Sequence, residues 1–148
     1  SWPRWGNERI REVMRTQRDI KRALQAAEAA QIALLGIGNL DPAQSGYVKG
    51  GFMTAEELMR LSAVGAVGDI AGRIFTVDGR RHEDAFEARI IGVGYEELKR
   101  IPITIAVAMG LEKTRAIFGA LNTDIVNVLC TDDRTASAVL GVDRRNGS

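Results

Sequence analysis

Residues 103–121, ITIAVAMGLEKTRAIFGAL, read as an apolar strand running through Gly110 into a helix whose first turn carries Lys113. A helix N-terminus already carries partial positive charge, so a lysine there is misplaced unless an anion meets it. Helical spacing puts Lys113 on the side of Ile117, Ala120 and Leu121, so it leans toward the sheet edge. The alternative is a solvated lysine lying over apolar surface. Other chemistry-bearing groups fall at the ends of predicted strands. In GIGNLD, Gly36 and Gly38 would let a ligand approach the backbone closely, or simply make a tight turn. In GAVGDIAGRIF, strand alternation puts Val67, Asp69, Ala71, Arg73 and Phe75 on one face. An aspartate among such neighbours is expensive to bury unpaired, so Asp69 either pairs with Arg73 or accepts from a ligand hydroxyl. In CTDDRTA, one of Asp132 and Asp133 caps the following helix, and the other is free to accept hydrogen bonds from a ligand.

One lysine at a helix start, two or three acceptors and several glycine turns suit a small polyhydroxylated anion. No Ser/His/Asp or Cys/His arrangement accompanies them, because the single histidine, His82, lies in the charged stretch GRRHEDAFEAR. GIGNLD is also a poor dinucleotide fingerprint: it lacks the third glycine, and Pro42 interrupts the continuation.

The elements that must hold these groups alternate. Residues 8–30 are predicted helical, as one helix or as two with a restart at 16–19. The apolar run 32–37 reads as a strand buried on both faces. Thr54 with Glu57 opens a helix, and 64–81 reads as a strand closed by an Asp78-Gly79 turn, with the chain returning toward Ala88 as a hairpin. A short helix, YEELKR, stops at Pro102; strand 103–108, a helix to Leu121, strand IVNVLC and helix RTASAVL follow. The expectation is α/β: a Rossmann-like, mostly parallel, doubly covered sheet with flanking helices and an inserted hairpin.

The 148 residues are enough for one domain, and 45% hydrophobic with 26% charged residues is ordinary globular composition. The net charge of +1 gives no global field for a polyanion. A single cysteine, Cys130, excludes an intramolecular disulfide and suits a reducing compartment. Without a long apolar run or signal pattern, a cytoplasmic location with no membrane contact is expected, and neither a metal site nor a cofactor is implied. The absence of an initial Met and the polar tail DRRNGS suggest a piece of a longer protein.

The blocks LLGIG, GAVGDIAGRIFTVDGR, IPITIAVAMGLEKTRAIFGAL and VNVLCTDDRTASAVL, over residues 30–141, resemble the effector-binding domain of SorC/DeoR-type bacterial transcriptional regulators. The resemblance implies a fold similar to phosphosugar isomerases and CoA transferases, and a phosphorylated sugar as effector. It also implies operator DNA bound through an N-terminal helix-turn-helix domain that this chain lacks, and a homo-oligomer, dimer or tetramer. The family's acid after GAVG falls on Asp69, its G-x-x-K on Gly110 to Lys113 and its TD aspartate on Asp132. The first strand-loop-helix of that domain, with its phosphate loop, has no counterpart, and Ala71 stands where the family often has cysteine. Residues 1–148 would then be an effector-binding fragment. The competing reading is a phosphosugar isomerase or deaminase, with Asp69 or Asp132 as general base and Lys113 as phosphate clamp or Schiff-base amine.

Overall fold

The computed structural model describes residues 8–82 and 86–146. Its strands are β1 (Ile32–Asn39), β2 (Ala66–Ile70), β3 (Arg73–Thr76), β4 (Ile103–Val107) and β5 (Val128–Cys130), and they form one sheet in the order β3-β2-β1-β4-β5. β1 pairs in parallel with β4, from Ile32 opposite Ile103 to Gly36 opposite Val107, and β4 pairs in parallel with β5. On its other side β1 meets β2 antiparallel, and β2 meets β3 antiparallel. The alternation of strands and helices is as the sequence reads, but the sheet is mixed, and the hairpin forms its edge.

The hairpin turns earlier than the sequence suggests. Residues 64–81 are not one strand: the chain reverses at Ala71-Gly72, whose φ angles are +50° and +78°. This type I′ turn needs positive φ at both positions; glycine adopts it freely and alanine only with strain, so the sequence lacks the usual Asn-Gly or Asp-Gly signal there. The register that follows pairs Ile70 with Arg73 and Asp69 with Ile74. Cross-strand partners share a face. Asp69 and Arg73 therefore lie on opposite faces, and the expected ion pair between them does not form. The Asp78-Gly79 turn is present as well, with Gly79 N–H donating to Thr76 O at 3.0 Å. Its return amounts to a bridge between Phe75 and Arg81. The path toward Ala88 crosses 83–85, outside the described residues, and enters a 3-10 turn at Glu87–Arg89.

The helices are α1 (Glu8–Thr16), α2 (Arg18–Glu28), α3 (Gly46–Lys49), α4 (Ala55–Ala63), α5 (Tyr95–Arg100), α6 (Thr114–Leu121) and α7 (Asp133–Asn146). The N-terminal helical stretch is two helices broken at Gln17, where no side chain caps the restart, because the Thr16 hydroxyl donates back to Val13 O at 2.7 Å. The Thr54/Glu57 capping box forms as read: Glu57 N–H donates to Thr54 Oγ1 at 3.1 Å and Thr54 N–H to Glu57 Oε2 at 2.8 Å. Lys113 does not lie inside α6 but ends a 3-10 turn, Leu111–Lys113, and serves as the N-cap residue.

α6 anchors the core. Its Ala116, Ile117 and Ala120 pack with Ile37, Ile70, Phe75, Ala106, Tyr95 and Leu98 on one face of the sheet. A second cluster, Leu58 and Leu61 of α4 with Met53, Ile74 and Phe86, covers the opposite side of the hairpin. The hairpin is thus covered on both faces, whereas the parallel strands, which the sequence leads one to expect doubly covered, are not. Alternation along β1, β4 and β5 aligns Ile32 and Leu34 with Ile103, Val107 and Val128, and these side chains are exposed, Leu34 at 70% and Ile32 at 60%. β1 is therefore buried on one face, not two. Its continuous apolar run carries no information about which layers are present.

Candidate functional site

At the carboxyl end of β1 the sheet opens into a cavity of about 480 Å³ lined by Gly36, Gly38, Asp69 and Lys113, together with Asn39, Gln44, Ser45, Tyr47 and Phe52. Four of the six residues singled out from the sequence meet here. Each is placed by backbone geometry. Gly38 lies opposite Asp69 in the β1/β2 register, so the carboxylate sits where a Gly38 side chain would begin. Gly36 is different, because a Cβ built on it meets no atom within 4 Å. The space it leaves belongs to the cavity and not to the protein's own packing.

Lys113 reaches this cavity from the 3-10 turn before α6, and its Nζ donates to Ile37 O at 3.0 Å. One of its three ammonium protons is thereby used, leaving two for a ligand. Asp69 accepts from the Tyr47 hydroxyl at 2.6 Å and from Gly72 N–H at 3.3 Å. Burial pushes the Asp69 carboxyl above the ordinary range; the Tyr47 and Gly72 hydrogen bonds and the Lys113 charge oppose that rise without cancelling it. Burial and the adjacent carboxylate push the Tyr47 phenol far upward, so it stays a donor. The cavity thus presents a cation, a desolvated acceptor and open backbone within one concave surface.

The raised pKa of Asp69 sets a sign. With the folded value above the unfolded one, its contribution to stability is fully present at low pH and is lost as pH rises through the folded pKa, so the ionised carboxylate is a burden at neutrality. Asp69→Asn is expected to raise the thermal midpoint at pH 7, and the gap to the parent should close on acidification. A variant less stable than the parent at pH 7 would contradict this account.

Gly110 and Asp132 do not line this cavity. They stand at the ends of β4 and β5, joined through Thr135: Gly110 N–H donates to Thr135 Oγ1 at 2.9 Å, and that hydroxyl donates to Asp132 Oδ2 at 2.8 Å. Asp132 Oδ1 accepts from Thr135 N–H at 2.8 Å, so Asp132 caps α7, and these bonds hold its carboxyl below the usual range. Asp133 accepts from Arg134 N–H. Gly110 has φ +116°, which explains its residue type.

The sequence reading missed Tyr47 and its loop. Ser45 caps the short α3, its hydroxyl accepting from Tyr47 N–H at 3.2 Å, and this turn directs the phenol at Asp69. The available signal was a serine-glycine turn followed by an aromatic residue directly after a strand end, where ligands of such sheets bind.

A family model described as "Putative sugar-binding domain" matches residues 4–141. The transcriptional regulator LsrR of Klebsiella pneumoniae is 33% identical over 135 residues, spanning 90% of this chain and 42% of that protein. The full-length sorbitol operon regulator SorC from Klebsiella pneumoniae superposes with a TM-score of 0.82 at 29% identity, over 90% of this chain and 43% of that one. A DeoR family transcriptional regulator from Listeria monocytogenes gives 0.83 at 28% identity, over 90% and 53%. The chain belongs to this sugar-binding-domain family, the one found in SorC, DeoR-family and LsrR transcriptional regulators. It spans about two-fifths of the length of the curated relatives it matches. Among the described residues no helix is long and apolar enough to cross a membrane.

Proposed function

We propose that this chain is the effector-sensing part of a bacterial transcriptional regulator and that its effector is a phosphorylated sugar or polyol. The supporting observation is that Lys113 and the half-buried Asp69 meet across Gly36 and Gly38 on one cavity. Lys113 meets the phosphate or a sugar oxygen, Asp69 accepts from a hydroxyl, and the open side of Gly36 admits the ligand against the backbone. The name of SorC, a sorbitol operon regulator, fits a polyhydroxylated effector. Asp132 and Gly110, joined through Thr135 at the neighbouring strand ends, form a second contact region for the ligand. The bound effector acts by favouring one conformation of a homo-oligomer, a dimer or tetramer, and so changes operator affinity through a DNA-binding domain outside this chain. The protein works in the cytoplasm, with no cofactor and no turnover.

The test is proton NMR of the chain mixed with a panel of sugar phosphates and watched for hours. Selective broadening of one compound without new peaks is expected. New product peaks would move the assignment to a phosphosugar isomerase or deaminase. Uniform silence from a folded chain would refute the effector assignment for residues 1–148.

A further inference from the structure

The two oxygens of Asp69 are in different situations. Oδ2 takes both hydrogen bonds that the protein offers, from the Tyr47 hydroxyl at 2.6 Å and from Gly72 N–H at 3.3 Å. Oδ1 accepts none from any described residue, and it is not sealed from solvent. It stands over Gly38, where a Cβ would meet it, and Gly38 and Asp69 both line the cavity at the end of β1. Two carboxylates with structural tasks in this fold are instead held through both oxygens. Asp132 receives Thr135 N–H on Oδ1 and the Thr135 hydroxyl on Oδ2, and Glu87 receives Arg73 on Oε1 and Arg81 on Oε2. Asp69 is held through one oxygen and left open at the other.

Tyr47 is itself fastened before any ligand arrives. Its N–H donates to the Ser45 hydroxyl at 3.2 Å, its O accepts from Phe52 N–H at 2.8 Å, and its ring packs edge-on against Phe86 with centroids 5.0 Å apart. A phenol so placed fixes the rotation of the carboxylate, and with it the direction of Oδ1. It also favours the ionised form, since an O–H donor stabilises negative charge on its acceptor. We propose that Tyr47 is a positioning residue of the effector site, tying down Asp69 Oδ2 so that Oδ1 is the oxygen offered to an effector hydroxyl. The assignment rests on the effector reading above and narrows it: a hydroxyl meets Oδ1, and the phosphate is repelled from that spot. Lys113 acts on Asp69 from the turn before α6, and Arg73 of β3 acts on Tyr47. β1 and α3 line the cavity with no charged side chain.

The first test needs no ligand: the Asp69 ¹³Cγ shift is titrated with pH in the parent chain and in Tyr47→Phe, which keeps the ring against Phe86. Loss of the hydroxyl removes a donor from the ionised carboxylate, so the Asp69 midpoint is expected at higher pH in the variant. An unmoved or lowered midpoint would overturn the assignment. The second is calorimetric titration with sorbitol 6-phosphate across a range of pH. Tyr47→Phe is expected to bind about tenfold more weakly at neutral pH, with its acid-side loss of affinity beginning at higher pH than in the parent. The phosphate titrates alike in both, so the difference between the two proteins reports Asp69. Equal affinity at every pH would overturn the role of Tyr47 and leave the effector reading intact. Absence of binding to the parent would count against the effector reading, while the ¹³Cγ titration would still decide whether Tyr47 holds Asp69. Should the variant fail to fold, the parent suffices: its Tyr47 hydroxyl proton is expected to exchange slowly above the Asp69 midpoint and to move upfield as the carboxyl is protonated. Fast exchange of that proton at every pH would overturn the assignment.

Discussion

Lys113→Met is expected to weaken binding of the sugar phosphate identified by the panel by roughly fiftyfold to a hundredfold, while leaving the fold intact. A hydrogen bond to a charged group contributes about 1.5–3 kcal/mol when a partner is deleted, and each 1.4 kcal/mol is about tenfold in affinity, so a fiftyfold to hundredfold loss corresponds to about one such bond to the ligand. Lys113 has two ammonium protons to give after Ile37 O takes one. Methionine keeps an unbranched stem of similar length, so packing over β1 is retained and only the charge and its hydrogen bonds are lost. The loss to stability is confined to one bond to a backbone carbonyl at the rim of an open cavity. Lys113→Arg should not restore binding fully, since a planar fork cannot reproduce a compact ammonium at the same spot. Calorimetric titration, with the thermal midpoint as the control, measures both. An unchanged affinity in Lys113→Met would remove the β1-end cavity from consideration. If Asp132→Asn then lost affinity instead, the ligand would belong to the strand ends of β4 and β5.

The candidate site was legible where backbone rules act and opaque where tertiary approach decides. Gly36 and Gly38 could be singled out because glycines closing an apolar run mark a strand end, and strand ends are where ligands bind in such sheets. Lys113 stood out by being electrostatically misplaced. Asp69 stood out for a sound reason but with the wrong partner, because Ala71-Gly72 does not read as a turn while flanking β-branched and aromatic residues keep the strand pattern going. That one turn reverses the face of every later hairpin residue. Tyr47 could not be found by periodicity at all, since it belongs to a four-residue helix whose position depends on packing against Phe86 and Met53. The uncovered face of the parallel strands was equally invisible. A run such as IALLGIG looks the same whether helices cover one side or both.

Glu87→Ala is expected to cost about 3–5 kcal/mol of folding stability, the range for breaking a buried ion pair by removing one partner. Arg73 and Glu87 are 3% and 6% exposed in their side chains and meet at 3.3 Å between Nη1 and Oε1. Arg73 also donates through Nε to Val93 O at 2.9 Å and through Nη2 to Gly92 O at 3.1 Å, so one guanidinium fastens residues 87–93 to the tip of the hairpin. Burial pulls its pKa downward and Glu87 pushes it back. Glu87 also takes Arg81, Nη2 to Oε2 at 3.2 Å, and therefore balances two cations. Without it the Arg73 charge stays buried, because an arginine in a protein cannot shed its proton. Glu87→Gln keeps one acceptor oxygen and should lose less than the alanine variant. Urea unfolding of the three proteins gives the comparison, and a loss below about 1 kcal/mol in Glu87→Ala would mean that water reaches Arg73. The hairpin tip that this pair secures includes Gly72, whose N–H donates to Asp69. A weakened pair should therefore lower effector affinity through Asp69 before the domain unfolds, and Glu87→Gln, with its smaller loss of stability, is the variant in which that order can be observed.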